Sequence, residues 1–482
     1  MREECGIFGI WGHENERASL AEGAPLANGN SLAEAAASLS AARLAYLGLF
    51  ALQHRGQESA GITYLQEGRL KTIKGMGLVS EVFLTQNLEA VSGTAAIGHV
   101  RYSTTGSSVL ENAQPISVTY AGGQLAAAHN GNLVNADTLR EMLEKQGSAF
   151  QTTSDSEVII QLIVSHAASC DLHQGIIKAM SFIKGAYALI LMTTNELIGI
   201  RDEFGFRPLC IGRLNDSFVL ASESCALDII GAEYVREVEP GEMVIINHSG
   251  ITSQKPANQP AEYRQCIFEH IYFARPDSKV FGRSVYNVRK QSGRQLAKES
   301  PVLADMIVPI PDSGVPAALG YAEGCGIKYE LGLIRNHYVG RTFINPKQSI
   351  RELGVSIKLN PVKDIIAGNR VVLVDDSIVR GTTCKKIIKM IRDAGASEVH
   401  LRISSPPIKH SCFYGVDTPD PAELIAATHS LEEIRDFIGV DSLAYLSLEG
   451  LLSAASSARG AALSVENNEF CAACFDGEYP IR

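Results

Sequence analysis

A thiol leads the first predicted strand of the chain. Cys5 comes directly before the apolar run GIFGI (residues 6–10), which has the composition of a short buried strand. Free cysteine is among the most buried residue types, so Cys5 could serve only as a small hydrophobic side chain. It could instead be a nucleophile, and then residues 1–4 in front of it need an explanation. The other polar motifs have to decide between these two interpretations.

A second group of polar residues has the pattern of a phosphate site. In RVVLVDDSIVRGTT (residues 370–383) an apolar strand delivers two adjacent carboxylates, Asp375 and Asp376, to a loop that a helix follows. Backbone N–H groups at a helix N-terminus bind anions, and carboxylates just before it suit ribose hydroxyls or a metal ion on a pyrophosphate. The alternative is an ordinary strand-to-helix turn capped by aspartate. Two acids followed by hydroxyls and a glycine favour the phosphate site. Its loop consists of Ser377, Ile378, Val379, Arg380, Gly381, Thr382 and Thr383.

The composition limits both the architecture and the classes of partner. The 482 residues suggest roughly two to four domains. The net charge of −10 argues against nucleic-acid binding, and no apolar run approaches the roughly 20 residues that span a membrane. The first residues lack the basic and apolar regions of a signal peptide. The ten cysteines are therefore expected to be thiols or metal ligands in a cytoplasmic protein.

Two different patterns of strands and helices position these motifs. Up to about residue 247, short strands such as residues 185–194 outnumber helices, which favours an α+β sandwich. A polar stretch over residues 247–265 has the composition of a linker. The remainder alternates strand and helix, which implies a parallel sheet with ligands at the carboxyl ends of its strands.

An Ala-, Ser- and Leu-rich segment covers residues 16–45. Ser31 and Glu34 form a capping box, and apolar residues recur at helical spacing up to Tyr46. The pattern predicts a helix preceded by a surface loop, and we assign it no chemistry.

The phosphate motif connects the second half to a known family. Residues 370–383 resemble the phosphoribosyl pyrophosphate (PRPP) motif of type I phosphoribosyltransferases. The resemblance implies that the acidic pair and its loop bind the ribose and 5-phosphate of PRPP, and that Ser313 joins Asp375 and Asp376 in holding Mg²⁺. The segment RNHYVGRTFINP (residues 335–346), by itself typical of a solvated loop, is then expected to be a lid that excludes water. The lid residues expected to bind PRPP are Arg335, Tyr338 and Arg341, and His337 stands where the family usually has arginine.

Five motifs of the first half occur in the order found in N-terminal-nucleophile amidotransferases. Together they resemble the glutaminase domain of these enzymes, and in chain order they are ECGIFGI, LQHRGQESAGI, GHVRYSTTG, HNGNLVN and SDSE. The resemblance implies that Cys5 attacks the glutamine carboxamide, with its own α-amino group as the base. Arg55 then borders the nucleophile, and Asn130 and Gly131 form the oxyanion hole.

The same resemblance implies how glutamine is held. Arg101 is expected to bind its α-carboxylate and Asp155 its α-ammonium, with Thr104 nearby. Taken singly, these side chains have ordinary alternatives. Arg101 could be a surface charge, Asp155 a helix cap, and Asn130 with Gly131 a hairpin turn. Only their joint occurrence favours the glutaminase roles.

Joined, the two halves resemble the amidophosphoribosyltransferase family over nearly the whole chain, apart from residues 17–40. The resemblance implies conversion of glutamine, PRPP and water into 5-phosphoribosylamine, glutamate and pyrophosphate, the first committed step of purine synthesis. The implied fold class is an α+β N-terminal-nucleophile (class II) glutaminase sandwich joined to an α/β type I phosphoribosyltransferase domain with a parallel sheet. The expected parts are a propeptide at 1–4, a glutaminase domain at 5–250 and a phosphoribosyltransferase domain at 262–482.

Further expectations rest on the resemblance alone. Tyr272 is expected to lie on the segment that links the two sites through an ammonia channel. Purine nucleotides are the expected feedback inhibitors, and a homotetramer is the expected assembly. Two other hypotheses are a PRPP-sensing regulator, which would not need Cys5, and an asparagine synthetase-like enzyme, which would need an ATP-pyrophosphatase loop in place of the PRPP motif.

Four of the cysteines match a metal-binding pattern. Cys266, Cys412, Cys471 and Cys474 stand where one branch of the family ligates a [4Fe–4S] cluster. Four thiolates suit either that cluster or a structural zinc, and the resemblance favours iron–sulfur. The cysteines expected to be ordinary apolar side chains are Cys170, Cys210, Cys225, Cys325 and Cys384.

The hypothesis that Cys5 is the nucleophile also predicts processing of the N-terminus. If the base is the α-amine of Cys5, then residues 1–4 have to be removed by cleavage between Glu4 and Cys5, as from a zymogen. The mature protein is therefore expected to start at Cys5.

Overall fold

The computed structural model describes residues 5–12, 36, 39–84, 86, 88, 91, 93–102, 108–255, 263–337, 357–416, 418, 420–457 and 469–481. The expected propeptide, the capping box at Ser31 and Glu34, and the site residues Thr104, Tyr338 and Arg341 lie outside these ranges. In the described ranges no helix has the length and apolar character needed to cross a membrane.

Two antiparallel sheets form the first part of the chain. In the described residues the first sheet has the spatial order β11 (Glu233–Glu237), β9 (Cys210–Leu214), β10 (Ser217–Ala221), β1 (Gly6–Trp11), β4 (Ala95–Arg101), β2 (Ser59–Gln66) and β3 (Arg69–Met76). The second has the order β13 (Gly250–Gln254), β12 (Met243–Asn247), β8 (Leu197–Arg201), β7 (Gly185–Met192), β6 (Gly123–Leu133) and β5 (Ile116–Tyr120). β13 pairs with β12 and so extends the second sheet into the stretch whose composition is typical of a linker.

Helices cover the outer face of each sheet. The helices of the first part are α1 (Ala41–Ala51), α2 (Val79–Val82), α3 (Ala136–Lys145), α4 (Asp155–Ala167), α5 (Leu172–Phe182) and α6 (Cys225–Asp228), with a 3₁₀ turn at Leu110–Asn112. Successive side chains of a strand point to opposite faces, so Ile7 joins the core between the sheets while Phe8 packs under α1. The helices α4 and α5 pack on the second sheet. The result is a helix–sheet–sheet–helix sandwich with β1 at its centre.

A parallel sheet organises the second part, as the alternation of strand and helix predicts. Its order is β17 (Met306–Pro309), β20 (Arg370–Asp375), β21 (Glu398–Ile403) and β22 (Ser442–Tyr445), and each neighbouring pair is parallel. Apolar clusters cover both of its faces. The helices here are α7 (Val285–Glu299), α8 (Val315–Cys325), α9 (Lys363–Ile366), α10 (Thr382–Asp393), α11 (Ile425–Thr428), α12 (Leu431–Ile438), α13 (Leu448–Ser457) and α14 (Ala473–Asp476), with a 3₁₀ turn at Pro421–Glu423.

Short strand pairs and one tight turn complete the second part. A π-helical turn over Glu269–Phe273 follows the short strand at Gln265–Cys266 and precedes α7 in the chain. The short pairs are β14 (Gln265–Cys266) with β23 (Phe470–Cys471), β15 (Lys279–Val280) with β16 (Arg283–Ser284), and β18 (Leu333–Arg335) with β19 (Leu359–Pro361).

Candidate active site

Cys5 lies at the start of the central strand β1, beside the end of β4. Its Sγ donates a hydrogen bond to the backbone oxygen of Tyr102 at 3.5 Å. Its own backbone oxygen accepts a hydrogen bond from Nε of Arg55 at 3.0 Å. The thiol is therefore held between the two segments that carry the motifs QHRGQ and HVRYS.

The segment that carries Arg55 packs directly on β4. A Cβ atom at Gly56 would lie 2.6 Å from the backbone carbon of Val100 and 2.7 Å from that of Arg101, so only glycine allows this approach. The buried guanidinium of Arg55 binds two carboxylates, those of Glu223 at 2.6 Å and Glu269 at 2.7 Å.

Asn130 and Gly131 do not form a hairpin turn, because they lie within β6 and pair with Ala188 and Tyr187 of β7. Gly131 has φ +150°, and a Cβ atom there would lie 2.0 Å from the backbone oxygen of Ala186. The Asn130 side chain is 1% exposed, and its Nδ2 has no hydrogen-bond partner in the described part of the chain. A buried donor without an acceptor costs about 1–3 kcal/mol, so this amide is poised for an acceptor that binding supplies.

Asp155 is the first residue of α4, but Ser154 caps the helix by accepting a hydrogen bond from Ser156 N. The Asp155 carboxylate instead accepts a hydrogen bond from Leu133 N at 3.1 Å, close to the Asn130 segment of β6. Arg101 is also buried and not a surface charge, with Nη1 3.9 Å from a carboxylate oxygen of Glu58. Of the predicted glutamine-binding residues in the described ranges, Arg101 therefore lies at the end of β4 and Asp155 at the junction of β6 with α4.

The two aspartates of the phosphate motif lie at the carboxyl end of β20 and are buried. Burial raises the pKa of Asp375, and the neighbouring charge of Asp376 raises it further. Burial also raises the pKa of Asp376, while hydroxyl hydrogen bonds from Ser313 and Ser377 and the charge of Arg289 favour its ionised form. The structure thus brings Ser313 to the acidic pair. Two buried carboxylates beside the N-terminus of a helix are suited to a metal-bound pyrophosphate.

The loop after the aspartates ends in a left-handed residue, Gly381 at φ +72°, immediately before α10. The backbone oxygen of Val379 accepts a hydrogen bond from Ile425 N at 2.9 Å. The Arg380 guanidinium points to Glu423, 2.5 Å away, so its charge is paired outside the loop. The candidate donors for an anion are therefore the backbone N–H groups and hydroxyls at the start of α10.

A cavity of about 550 Å³ separates the two groups of motifs. Its walls come from both parts of the chain, with His54 on one side and Tyr272, Ser313 and Arg335 on the other. Burial raises the pKa of Tyr272 to about 12, and the charges of Asp376 and Asp375 add to the shift, so its ring lies near the acidic pair. His337 also lines this cavity.

The four cysteines of the metal pattern lie near one another. Cys266 on β14 is paired in parallel register with Cys471 on β23. Burial raises the pKa of Cys474 well above its usual value, and the charges of Cys266, Cys412 and Cys471 raise it further. Within the described ranges, no group of three or more His, Cys, Asp and Glu side chains is arranged to hold a metal ion.

Three charged residues beside the site have no motif that singles them out in the sequence. Glu223 and Glu269 bind Arg55, and Arg207 lies 3.6 Å from Glu269. The available signal was a carboxylate within the apolar run IFEHIYF (residues 267–273), since charged residues are almost never fully buried unless they are paired.

Comparisons with known proteins agree with this arrangement. A family model described as a glutamine amidotransferase domain matches residues 99–228, and one described as a phosphoribosyl transferase domain matches residues 289–404. The chain is 50% identical to the amidophosphoribosyltransferase of Bacillus subtilis (strain 168), with 100% of this chain and 95% of that protein covered. It is 51% identical to the chloroplastic amidophosphoribosyltransferase 1 of Arabidopsis thaliana, with coverage of 100% and 79%.

Solved structures show the same similarity. The glutamine PRPP amidotransferase of B. subtilis complexed with ADP and GMP has a TM-score of 0.87 and 49% identity, with 99% of this chain and 98% of that chain covered. A structure described as the allosteric regulatory enzyme of purine biosynthesis has a TM-score of 0.88 and 49% identity, with coverage of 99% and 96%.

Proposed function

Because the chain belongs to the amidophosphoribosyltransferase family, we propose that its glutaminase chemistry takes place at Cys5 and its transferase chemistry at Asp375 and Asp376. The family combines a class II glutaminase domain with a type I phosphoribosyltransferase domain. It catalyses the first step of purine biosynthesis, in which glutamine supplies nitrogen to PRPP. The domain boundaries at residues 5–250 and 262–482 belong to this proposal.

Glutamine hydrolysis begins with attack by the Cys5 thiolate on the carboxamide. The α-amine of Cys5 takes the thiol proton and delivers it to the departing ammonia, and water then releases glutamate from the thioester. Its ordinary pKa of about 7.7–8.0 suits this exchange near neutral pH. Arg101 and Asp155 hold the two charged ends of glutamine, and Thr104 assists. The residues that precede Cys5 are removed in the active enzyme, since an acylated amine is not a base.

The observation that carries the glutaminase proposal is the buried Asn130 amide, whose Nδ2 has no partner in the described residues. It is suited to bind the oxygen of the tetrahedral intermediate together with Gly131 N, because the donor is already desolvated and fixed. Cys5 immediately precedes β1, which packs against the second sheet that contains this strand.

Asn130→Ala is therefore expected to lower kcat for glutamine by about 10²–10³-fold, the usual effect of losing one oxyanion donor. The KM for glutamine and the ammonia-dependent rate are expected to change little, and steady-state assays with each nitrogen donor measure this. Asn135→Ala is the control, because it removes an amide that is hydrogen-bonded to the backbone of Phe182 and Lys184. Equal loss in the two variants, or parallel loss with ammonia, would reject the oxyanion role.

The transferase step joins ammonia to C1 of PRPP as pyrophosphate leaves. The oxygen donors that fit Mg²⁺ are those of Asp375, Asp376 and Ser313. A bound cation would offset the unfavourable free energy of burying two adjacent ionised carboxylates. Mg²⁺ would neutralise charge on the pyrophosphate. Ser377 and the α10 N-terminus bind the 5-phosphate and ribose, with Val379, Arg380, Gly381, Thr382 and Thr383 in the same loop. Arg335, Tyr338 and Arg341 remain the predicted lid residues, and Tyr272 lines the passage for ammonia.

The four clustered cysteines are proposed to hold a [4Fe–4S] cluster. Their mutual proximity supports this, since all three partners act on the Cys474 thiol, and four thiolates are the usual donor set for such a cluster. It would fasten the C-terminal segment to β14 and the Cys412 loop.

Protein purified without oxygen is expected to contain iron and sulfide, to absorb near ~400 nm as thiolate-ligated iron–sulfur clusters do, and to lose both iron and absorbance on Cys474→Ser. Cys325→Ser is the control, since Cys325 lies at the end of α8. Zinc without iron would reject the cluster and favour a structural zinc site.

Regulation, assembly and location remain proposals as well. A solved relative from B. subtilis is bound to ADP and GMP, which supports purine nucleotides as inhibitors of this chain. A homotetramer in the cytoplasm is the proposed state, although some relatives are described as chloroplastic.

A further inference from the structure

Four buried charges form a cluster between the two parts of the chain. Arg55, Arg207, Glu223 and Glu269 are each at most 1% exposed, and we call them the interdomain charge cluster. Arg55 lies 2.6 Å from Glu223 and 2.7 Å from Glu269, while Arg207 lies 3.6 Å from Glu269. Two cations and two anions balance, which is a condition for keeping ionised groups away from water.

The cluster joins segments that are distant in sequence. Arg55, Arg207 and Glu223 come from the sandwich, whereas Glu269 begins the turn Glu269–Phe273 of the second part. The Glu269 carboxylate accepts hydrogen bonds from both Nη1 and Nη2 of Arg55. This bidentate geometry restricts the orientation of a guanidinium. The second part of the chain therefore shares with Glu223 in fixing where the Arg55 side chain lies.

Arg55 passes this constraint to the nucleophile. Its Nε donates a hydrogen bond to the backbone oxygen of Cys5 at 3.0 Å, while Nη1 donates to Glu223 and Nη2 to Glu269. This hydrogen bond restrains the residue that carries both the thiol and the proposed amine base. A small displacement of Cys5 would lower the reaction rate, because attack on the carboxamide requires the reacting atoms to be close and aligned.

The other end of the turn Glu269–Phe273 is fixed near the PRPP aspartates. Arg289 donates to the backbone oxygens of His270 and Ala274, each at 2.8 Å. The charge of Arg289 also acts on Asp376. Glu269 thus stands on a turn that Arg55 connects to Cys5 and that Arg289, whose charge acts on Asp376, holds from the other side.

We propose that Glu269 is a positioning residue for glutamine hydrolysis, which acts by holding Arg55 against the backbone of Cys5. The proposal rests on the nucleophilic role proposed for Cys5. It assigns to the second part of the chain a residue that the glutaminase reaction needs, although this residue touches no substrate.

The test is Glu269→Gln, which keeps the size of the side chain and removes its charge. We expect kcat for glutamine to fall at least tenfold, with the KM for glutamine and the ammonia-dependent rate each within twofold of wild type. The pH profile of Cys5 alkylation by iodoacetamide is expected to shift, since the surroundings of the thiol change. A residue that only stabilised the fold would alter neither the ratio of the two rates nor this profile.

Glu242→Gln is the matched control. Glu242 is also buried and accepts hydrogen bonds from both Nη atoms of an arginine, at 2.8 and 2.7 Å, but this arginine is Arg236 and not Arg55. It is expected to lower the Tm without changing the ratio of glutamine-dependent to ammonia-dependent activity. Equal ratios in the two variants would overturn the proposal.

Glu269→Asp covers the case in which Glu269→Gln does not fold. It retains the charge but shortens the reach to Arg55, and we expect an intermediate loss of the glutamine rate alone. An unchanged glutamine rate in this variant, or loss of the ammonia rate in parallel, would also overturn the role. If Cys5→Ala kept glutamine-dependent activity, the proposed nucleophile would fail instead, whatever the Glu269 variants showed.

Discussion

Replacing Cys5 by alanine is expected to lower glutamine-dependent formation of phosphoribosylamine by at least about 10³-fold, the scale at which loss of a nucleophile acts. Formation from ammonia is expected to persist, because the aspartates proposed to act on PRPP lie in the other part of the chain. Alanine removes the thiol of the proposed nucleophile and is expected to leave the packing of β1 nearly unchanged. Pyrophosphate release with each nitrogen donor measures both rates.

The control is Cys210→Ala on β9, since Cys210 is buried in the apolar core of the sandwich. It is expected to leave both rates near wild type. Intact mass spectrometry of the active wild-type enzyme is expected to show a chain that begins at Cys5. Glutamine-dependent activity in Cys5→Ala, or an active enzyme that retains residues 1–4, would disprove the nucleophile mechanism.

Replacing both aspartates of the acidic pair by asparagine is expected to remove transferase activity with either nitrogen donor, by about 100-fold or more. Asp375 and Asp376 are buried next to each other, and a bound cation would neutralise their charge. The neutral amides of two asparagines would bind the same cation more weakly. The readout is pyrophosphate release with saturating ammonia and varied PRPP and Mg²⁺. Labelling of Cys5 by a reactive glutamine analogue is expected to continue, which separates this loss from unfolding.

A surface carboxylate provides the control for the acidic pair. Asp364 in α9 is exposed, and Asp364→Asn is expected to leave the ammonia-dependent rate unchanged. If the doubly substituted enzyme bound PRPP and turned it over at the wild-type rate, the predicted phosphate site would be wrong.

Local pattern was sufficient for the parts of the fold that depend on near neighbours in sequence. The apolar run of residues 6–10 is the central strand β1, and the motif at residues 370–383 is a strand, a loop and a helix. Strand and helix alternation also predicted the parallel sheet, since parallel strands need a crossover between them. The family resemblance, carried by motifs in a fixed order, predicted the enzyme class that the comparisons show.

Single residues were more ambiguous, because their surroundings come from distant segments. Asn130 and Gly131 have the composition of a hairpin turn, yet they lie in a strand because β7 pairs with them. Asp155 has the position of a helix cap, but Ser154 takes that role and leaves the carboxylate to bind Leu133 N. Residues 247–265 have the composition of a linker, yet Gly250–Gln254 form a strand of the second sheet because they pair with β12.

The thiol at position 5 illustrates the division between sequence and tertiary structure. The sequence by itself determined that a cysteine leads a buried strand, that two acids precede a loop and a helix, and that the motifs follow a family order, because these features depend on residue type and spacing. Only the tertiary structure decided that Arg55 holds the Cys5 backbone and that Glu269, more than two hundred residues away, holds Arg55. Buried charges are stable only with partners, and chain folding alone determines which partners meet.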